Sequence, residues 1–215
     1  MMREVLAQQI IDSCLEMVRL GLNQGASGNA SVRFEEGMLI TPTGIEYSQM
    51  TPEQIVYVDG SGHFEEGKKP SSEWQFHLAC YKSRQDCNAV VHNHAINSTT
   101  LAILEKPIPA IHYMIAASGC KTIPLVPYAT FGSQELSDSV AKGITTSKAL
   151  LLAHHGSIAI GENLNKAMWL SQEVETLADM YIKALSTGLD IKILDDEEMD
   201  KVIEKFKTYG LKVEE

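Results

Sequence analysis

The chain has 215 residues, 44% hydrophobic and 21% charged, which is the balance of an ordinary globular domain long enough to bury one sizeable core. A formal net charge of −10 argues against a nucleic-acid or anionic-membrane surface, so any phosphate bound here must be met by local donors rather than by a broad basic field. No apolar run approaches the ~20 residues that cross a bilayer, the opening stretch turns polar too early for a secretory leader, and none of the cysteines (Cys14, Cys80, Cys87, Cys120) forms a C-x-x-C pair, so a cytoplasmic protein with reduced thiols is expected.

Leu6, Ile10, Cys14, Met17 and Val18 recur at helical spacing and predict an amphipathic helix over residues 4–22, running out at Gly21 and Asn23. A loop of small residues, Gly25-Ala26-Ser27-Gly28-Asn29-Ala30-Ser31, leads into a hairpin of residues 31–34 and 38–41 around Glu35-Glu36-Gly37. Pro42-Thr43-Gly44 breaks the second strand, Thr51-Pro52-Glu53-Gln54 reads as a helical turn with proline at its first position, and residues 55–58 read as a strand. After a loop rich in glycine and lysine, Ser72-x-x-Gln75 fits a capping box opening a helix through Ser83. A strand over 89–93 and a helix over 94–104 follow, then a short extended piece whose prolines, Pro124 and Pro127, argue for an edge or irregular strand. Ser133 caps a helix to Ile144, and strands over 149–153 and 157–160 bracket His154-His155-Gly156. A long helix covers 164–186, ended by Gly188, and Asp195-x-x-Glu198 starts a last helix reaching Lys207. Interspersed strands and helices with short loops predict a single α/β domain of three layers over residues 1–215, a largely antiparallel central sheet flanked by helices, with residues 195–215 a C-terminal helix and mobile tail.

Within this pattern, Val90-Val91-His92-Asn93-His94 ends a β-branched run in two histidines two residues apart. Positions i and i+2 of a strand face the same side, so both imidazoles can reach one metal ion, although an ordinary hydrogen-bonded pair at a strand end fits as well. His155 is a third candidate, in a tight bend where Gly156 lets the chain turn closely, and the adjacent His154 would then point elsewhere. The carboxylate of choice is Glu73, beside two serines at a helix start; it could equally be an anion answering the helix dipole. Three histidines and one carboxylate suit a borderline divalent ion such as zinc. A cupin-type reading of His-x-His requires a glutamate within a few residues, and none follows His94 before Glu105. Gly28-Asn29, Thr43-Gly44 and Ser71-Ser72 offer backbone N–H and hydroxyl donors suited to a phosphate, though glycine and serine also fill loops and caps without any ligand.

Several longer stretches hold these residues in a particular order: Ser27-Gly28-Asn29-Ala30-Ser31-Val32-Arg33, Met38-Leu39-Ile40-Thr41-Pro42-Thr43-Gly44, Pro70-Ser71-Ser72-Glu73-Trp74 and Ala89-Val90-Val91-His92-Asn93-His94-Ala95. Ile108-Pro109-Ala110-Ile111-His112-Tyr113-Met114, Pro127-Tyr128-Ala129-Thr130-Phe131-Gly132, His155-Gly156 and Glu204-Lys205-Phe206-Lys207-Thr208-Tyr209-Gly210 continue the series to the tail. In combination, and over nearly the whole chain, they resemble the class II aldolase/adducin-type family. The resemblance implies zinc held by His92, His94 and His155, with Glu73 as a fourth ligand that leaves to act as base. It implies reversible cleavage of L-fuculose 1-phosphate to glycerone phosphate and L-lactaldehyde through a metal-stabilised enediolate, with the phosphate on Gly28, Asn29, Thr43, Gly44, Ser71 and Ser72. Tyr113 would donate a proton to the aldehyde oxygen, Phe131, Phe206 and Tyr209 would serve the aldehyde side, and the assembly would be a homotetramer with sites at subunit boundaries. Ala26 and Ala30 stand where Thr and Val are expected, a departure that touches loop packing only. Two other readings share the scaffold, an L-ribulose-5-phosphate 4-epimerase and a non-catalytic adducin-like protein. Glutamate rather than aspartate at position 73, together with Tyr113 and the tail motif, favours the aldolase, and the full histidine set argues against the inert scaffold. Related pentulose 1-phosphates stay within range as substrates, because recognition sits at the phosphate and ketone end.

Overall fold

The computed structural model describes residues 1–207. Helix α1 (Met2–Arg19) buries Ala7, Ile10, Ile11, Cys14 and Met17, the stripe that the apolar spacing requires. Strands β1 (Asn29–Phe34) and β2 (Gly37–Ile40) form the expected hairpin, and β3 (Val56–Val58) joins its outer edge. Helix α2 (Trp74–Ser83), strand β4 (Ala89–Asn93) and helix α3 (Ile96–Ile103) follow. Beyond a 3-10 helix at Tyr113–Ser118 come β5 (Leu125–Val126), α4 (Gln134–Ile144), β6 (Ala149–Leu152), β7 (Gly156–Gly161), α5 (Leu164–Ser186) and α6 (Asp196–Phe206).

The seven strands form one sheet in the order β3-β2-β1-β4-β7-β6-β5, antiparallel throughout except for the β5–β6 pair. As Pro124 and Pro127 require, the strand between them is at the sheet edge, where a missing N–H breaks no ladder. Alternation sorts each strand between two cores. Val90, Ile40, Leu150 and Ile158 pack with Phe76 of α2 and Leu136 of α4 on one face. Val91, Val32 and Leu39 pack against α1 on the other, and Leu151 and Ala159 against Leu170 and Val174 of α5. The result is three layers, helix–sheet–helix, with β4 in the middle and buried at all five of its positions.

One local expectation is corrected. The capping box at Ser72 does not form; Glu73 itself is the residue preceding the first turn of α2, without a side-chain cap bond, and its N–H is taken by Ser71 Oγ at 3.3 Å. The carboxylate is drawn away from the helix terminus by stronger partners described below. Elsewhere the caps form as read: Ser133 accepts from Leu136 N, and Asp195 from Glu198 N. Among the described residues no helix is long and apolar enough to cross a membrane.

Candidate metal centre

Strand register brings the candidate ligands to one end of the sheet. Asn93 of β4 pairs with Ser157 of β7, so the residues just beyond them, His94 on one strand and His155 before the other, lie at the same edge. Leu152 pairs with Gly156, which leaves Ala153-His154-His155 as the connection between β6 and β7, with His154 in the left-handed region (φ 53°). That inversion turns His154 away, to Glu105 at 3.1 Å, and leaves His155 facing β4. Gly156 is needed for space: a Cβ there would press on Asn93 O and come 2.8 Å from His94 Cδ2.

Ligand atoms of Glu73, His92, His94 and His155 all lie within 4.8 Å of one another. His92 Nε2 is 2.9 Å from His94 Nε2 and 3.2 Å from Glu73 Oε2, and His155 Nε2 is 2.9 Å from Glu73 Oε1. His92 Nδ1 lies 2.8 Å from Ser157 O, which can only accept, so Nδ1 carries the proton and Nε2 of the neutral ring points a lone pair at the centre. Lone pairs therefore converge where hydrogen bonds would need protons, and buried Glu73 Oε1 has no well-directed donor. Leaving a buried carboxylate uncompensated costs several kcal/mol, about the scale of a whole protein's stability, so the arrangement calls for a cation. The donor set fits one: three imidazole nitrogens and a carboxylate oxygen make a four-coordinate site for a divalent ion. Burial opposes the charge on Glu73, but the neighbouring rings of His92 and His155 outweigh it and hold the carboxyl well below the usual range. Burial, with the His92 and His155 rings close by, pushes His94 down to about 4, so it keeps a proton poorly and its lone pair stays available.

Asn29 braces this centre from β1, where it sits opposite His92 in the sheet. Its amide nitrogen donates to Glu73 Oε2 at 2.9 Å and to Ser71 Oγ at 3.0 Å, and its Oδ1 meets His77 Nε2. His77 Nδ1 lies 2.7 Å from Ser31 Oγ, which lies 2.7 Å from Tyr81 OH. His77, Ser31 and Tyr81 are buried, and burial pushes His77 down to about 3, a neutral imidazole with a single N–H. Sequence reasoning passed over His77 and Tyr81. The signal available was their spacing, four and eight residues after Glu73, on one face of α2.

A cleft of about 350 Å³ opens over the centre, and Gly28, Asn29, Thr43, Gly44, Ser71 and Ser72, the whole expected phosphate set, line it together with Glu73, His94, His155 and Phe131. Ser71 Oγ already accepts from Asn29 and from Glu73 N–H, which leaves its own O–H to donate into the cleft. Asn29, by contrast, has both amide hydrogens engaged within the protein. Phe131 is 65% exposed at the rim, and Tyr128 and His154, named for no role from sequence, line the same cleft. Tyr113 and Phe206 are not brought to it: Tyr113 is 46% exposed on the 3-10 helix against which α6 packs, and Phe206 packs on the core beneath that helix. Tyr209, with the rest of the expected tail, lies outside the described residues.

Comparison with known proteins agrees with this geometry. A family model described as the class II aldolase and adducin N-terminal domain matches residues 8–182. The L-fuculose phosphate aldolase of Haemophilus influenzae is 64% identical over 215 residues, the full length of both chains. A 5-methylthioribulose-1-phosphate/5-deoxyribulose-1-phosphate aldolase of Escherichia coli O45:K1 is 58% identical over 212 residues, 99% of this chain and all of that one. A solved L-fuculose 1-phosphate aldolase superposes with a TM-score of 0.90 at 40% identity, over 94% of this chain and 96% of the other.

Proposed function

The chain belongs to the class II aldolase and adducin family, and from that membership we propose that it cleaves L-fuculose 1-phosphate reversibly to glycerone phosphate and L-lactaldehyde. The observation that carries the proposal is the cluster of Glu73, His92, His94 and His155 at a cleft whose lining also holds the six small residues expected to receive a phosphate. A metal-dependent aldolase needs these two halves side by side.

Three imidazoles favour zinc over a harder ion, and His92, His94, His155 and Glu73 would hold it. The chemistry such an ion supplies when bound is positive charge that polarises the substrate ketone and offsets the charge developing on its oxygen. The protein's own groups do the rest. Ser71 O–H, Ser72 and the backbone donors at Gly28, Thr43 and Gly44 bind the phosphate; Asn29 serves the same end by orienting Ser71. In the condensation direction Glu73 takes the proton from the hydroxymethyl carbon of glycerone phosphate, that carbon bonds to the aldehyde carbon, and Tyr113 gives a proton to the aldehyde oxygen. Cleavage reverses each transfer. Phe131 offers an apolar surface to the methyl end of the aldehyde.

Tyr113 would enter the cleft of an adjacent subunit in a homotetramer, with Phe206 and Tyr209 beside it and the tail closing over substrate; its exposure away from its own cleft supports this. Four free cysteines suit a reducing cytoplasm. A second reading draws on the relative at 58% identity: 5-deoxyribulose 1-phosphate presents the same phosphate and ketone, and differs only in releasing acetaldehyde.

Coupled detection of glycerone phosphate tests both. Zinc-loaded protein is expected to release it from L-fuculose 1-phosphate, to stop after chelation and to recover on adding zinc. A higher kcat/KM on 5-deoxyribulose 1-phosphate would favour the second reading, and turnover of L-ribulose 5-phosphate with no triose release would overturn both.

A further inference from the structure

We propose that His77 is a positioning residue of the metal centre: by fixing which way the Asn29 amide faces, it keeps an N–H on Glu73 and turns the Ser71 hydroxyl toward the substrate phosphate. The second half of that statement rests on the aldolase reading; the first does not.

The direction of every hydrogen bond in the chain follows from its end. Glu73, ionised, can only accept, so the Asn29 atom 2.9 Å from its Oε2 must be the amide nitrogen. The other side of that amide is then Oδ1, which can only accept, so the His77 nitrogen facing it, Nε2, must carry the ring proton. Neutral His77 has one N–H, so Nδ1 is bare and accepts from Ser31 O–H at 2.7 Å. Ser31 Oγ, having donated, accepts from Tyr81 O–H at 2.7 Å. One polarity runs from Tyr81 through Ser31, His77 and Asn29 to Glu73 and Ser71. The four residues behind Glu73 and Ser71 are all buried away from solvent, so the polarity set at Glu73 carries through to Tyr81.

The fold builds this relay from two periodicities. Glu73, just before the first turn of α2, and His77 and Tyr81 on that helix are spaced by four, and Asn29 and Ser31 on β1 by two, so the facing rows interlock. An asparagine without its histidine loses the donor that holds its Oδ1 and is fixed from the Glu73 and Ser71 side alone; any flipped amide would set Oδ1 against the Glu73 carboxylate. Two acceptors in contact would push that carboxylate off its place and withdraw the donor from Ser71, damaging the ligand set and the anion site together. His77 does not line the cleft and its hydrogen bonds go to Asn29 and Ser31, so its hydrogen-bonded route to the centre runs through Asn29.

The test uses the full-length protein with three variants, His77→Leu, His77→Gln and Asn29→Ala. The readouts are kcat and KM for L-fuculose 1-phosphate, zinc affinity by competition with a chromophoric chelator, and the thermal midpoint. His77→Leu is expected to lower kcat and zinc affinity by about tenfold each, the usual size of a lost outer contact at a metal site. His77→Gln, whose amide can still donate to Asn29 Oδ1, is expected to recover most of both. In the Asn29→Ala background His77→Leu should add less than about twofold, as expected for two residues acting in series. Wild-type kcat and zinc affinity in His77→Leu would overturn the proposal, as would factors that multiply in the double variant or a Gln variant as impaired as the Leu one. Should His77→Leu fail to fold, Ser31→Ala takes its place by releasing the His77 tautomer: a loss of about fivefold, the worth of one hydrogen bond, supports the proposal, and no loss overturns it. If wild-type protein cleaves no ketose 1-phosphate, the functional reading falls while the zinc competition still judges His77.

Discussion

Glu73 answers to two demands at once. As a buried carboxylate it is held by His92, His155 and Asn29, and as the base proposed for it, it must be able to leave them. Glu73→Gln separates the demands. The three imidazoles are untouched, so the variant should retain zinc, measured by metal analysis after gel filtration, while turnover falls by about 10²–10⁴, the range expected when a general base is removed. Turnover within twofold of wild type would take the base role from Glu73. At this scale the sequence was informative where spacing alone determines direction. His92 and His94 share a face because any strand makes them do so, and His155 is separated from its neighbour His154 by one inverted backbone torsion. His77 was passed over because a histidine among Trp74, Phe76 and Leu78 is easily taken for core, and its spacing from Glu73 says nothing of a task. Only the amide orientation of a residue on another strand gives it a task.

Among the elements, the β6–β7 hairpin contributes one candidate ligand, His155, and the clearance for another, His94. Gly156→Ala has no backbone conflict to overcome, since its φ is not left-handed; the conflict is spatial, with Asn93 O and with His94 Cδ2 at 2.8 Å. The expected outcome is a folded protein whose strands part locally and whose zinc affinity drops by about tenfold, read by chelator competition. An unchanged affinity would show that His94 can shift without cost. Elements whose signals are local were legible to the residue: α5 runs Leu164–Ser186 as its apolar period and caps demand. The start of α2 was misread for the opposite reason. Ser72-x-x-Gln75 is a sound local signal, but the tertiary pull of two histidines on Glu73 and the capture of its N–H by Ser71 outrank it. Sheet order was not legible at all, because β4 pairs with β1 and β7 across long separations that no local pattern encodes.

At the scale of the whole molecule, the cleft is lined by Glu73, His94, His155 and the small residues proposed for the phosphate, but not by Tyr113. If adjacent subunits complete one another, two inactive variants should rescue each other. Glu73→Gln and Tyr113→Phe, mixed by co-expression or by unfolding and refolding together, should regain roughly a quarter of wild-type activity, since one site in four would unite an intact Glu73 with an intact Tyr113. No gain over the separate variants would place Tyr113 and Glu73 in the same subunit or remove Tyr113 from the chemistry.

The scatter of the ligands along the chain, at residues 73, 92, 94 and 155, also bears on how the molecule is made. No early local structure holds more than the His92–His94 pair; the full set exists only once β4 lies between β1 and β7 and α2 has docked beside them. If the proposed ion binds, capture of the full ligand set is a late event that non-local pairing must precede. Its contribution falls on the unfolding side of the barrier: a bound ion slows the opening of a finished sheet and leaves the rate of reaching it nearly unchanged. If the fourth ligand must repeatedly let go, as proposed for Glu73, durability is supplied by the fold around the centre.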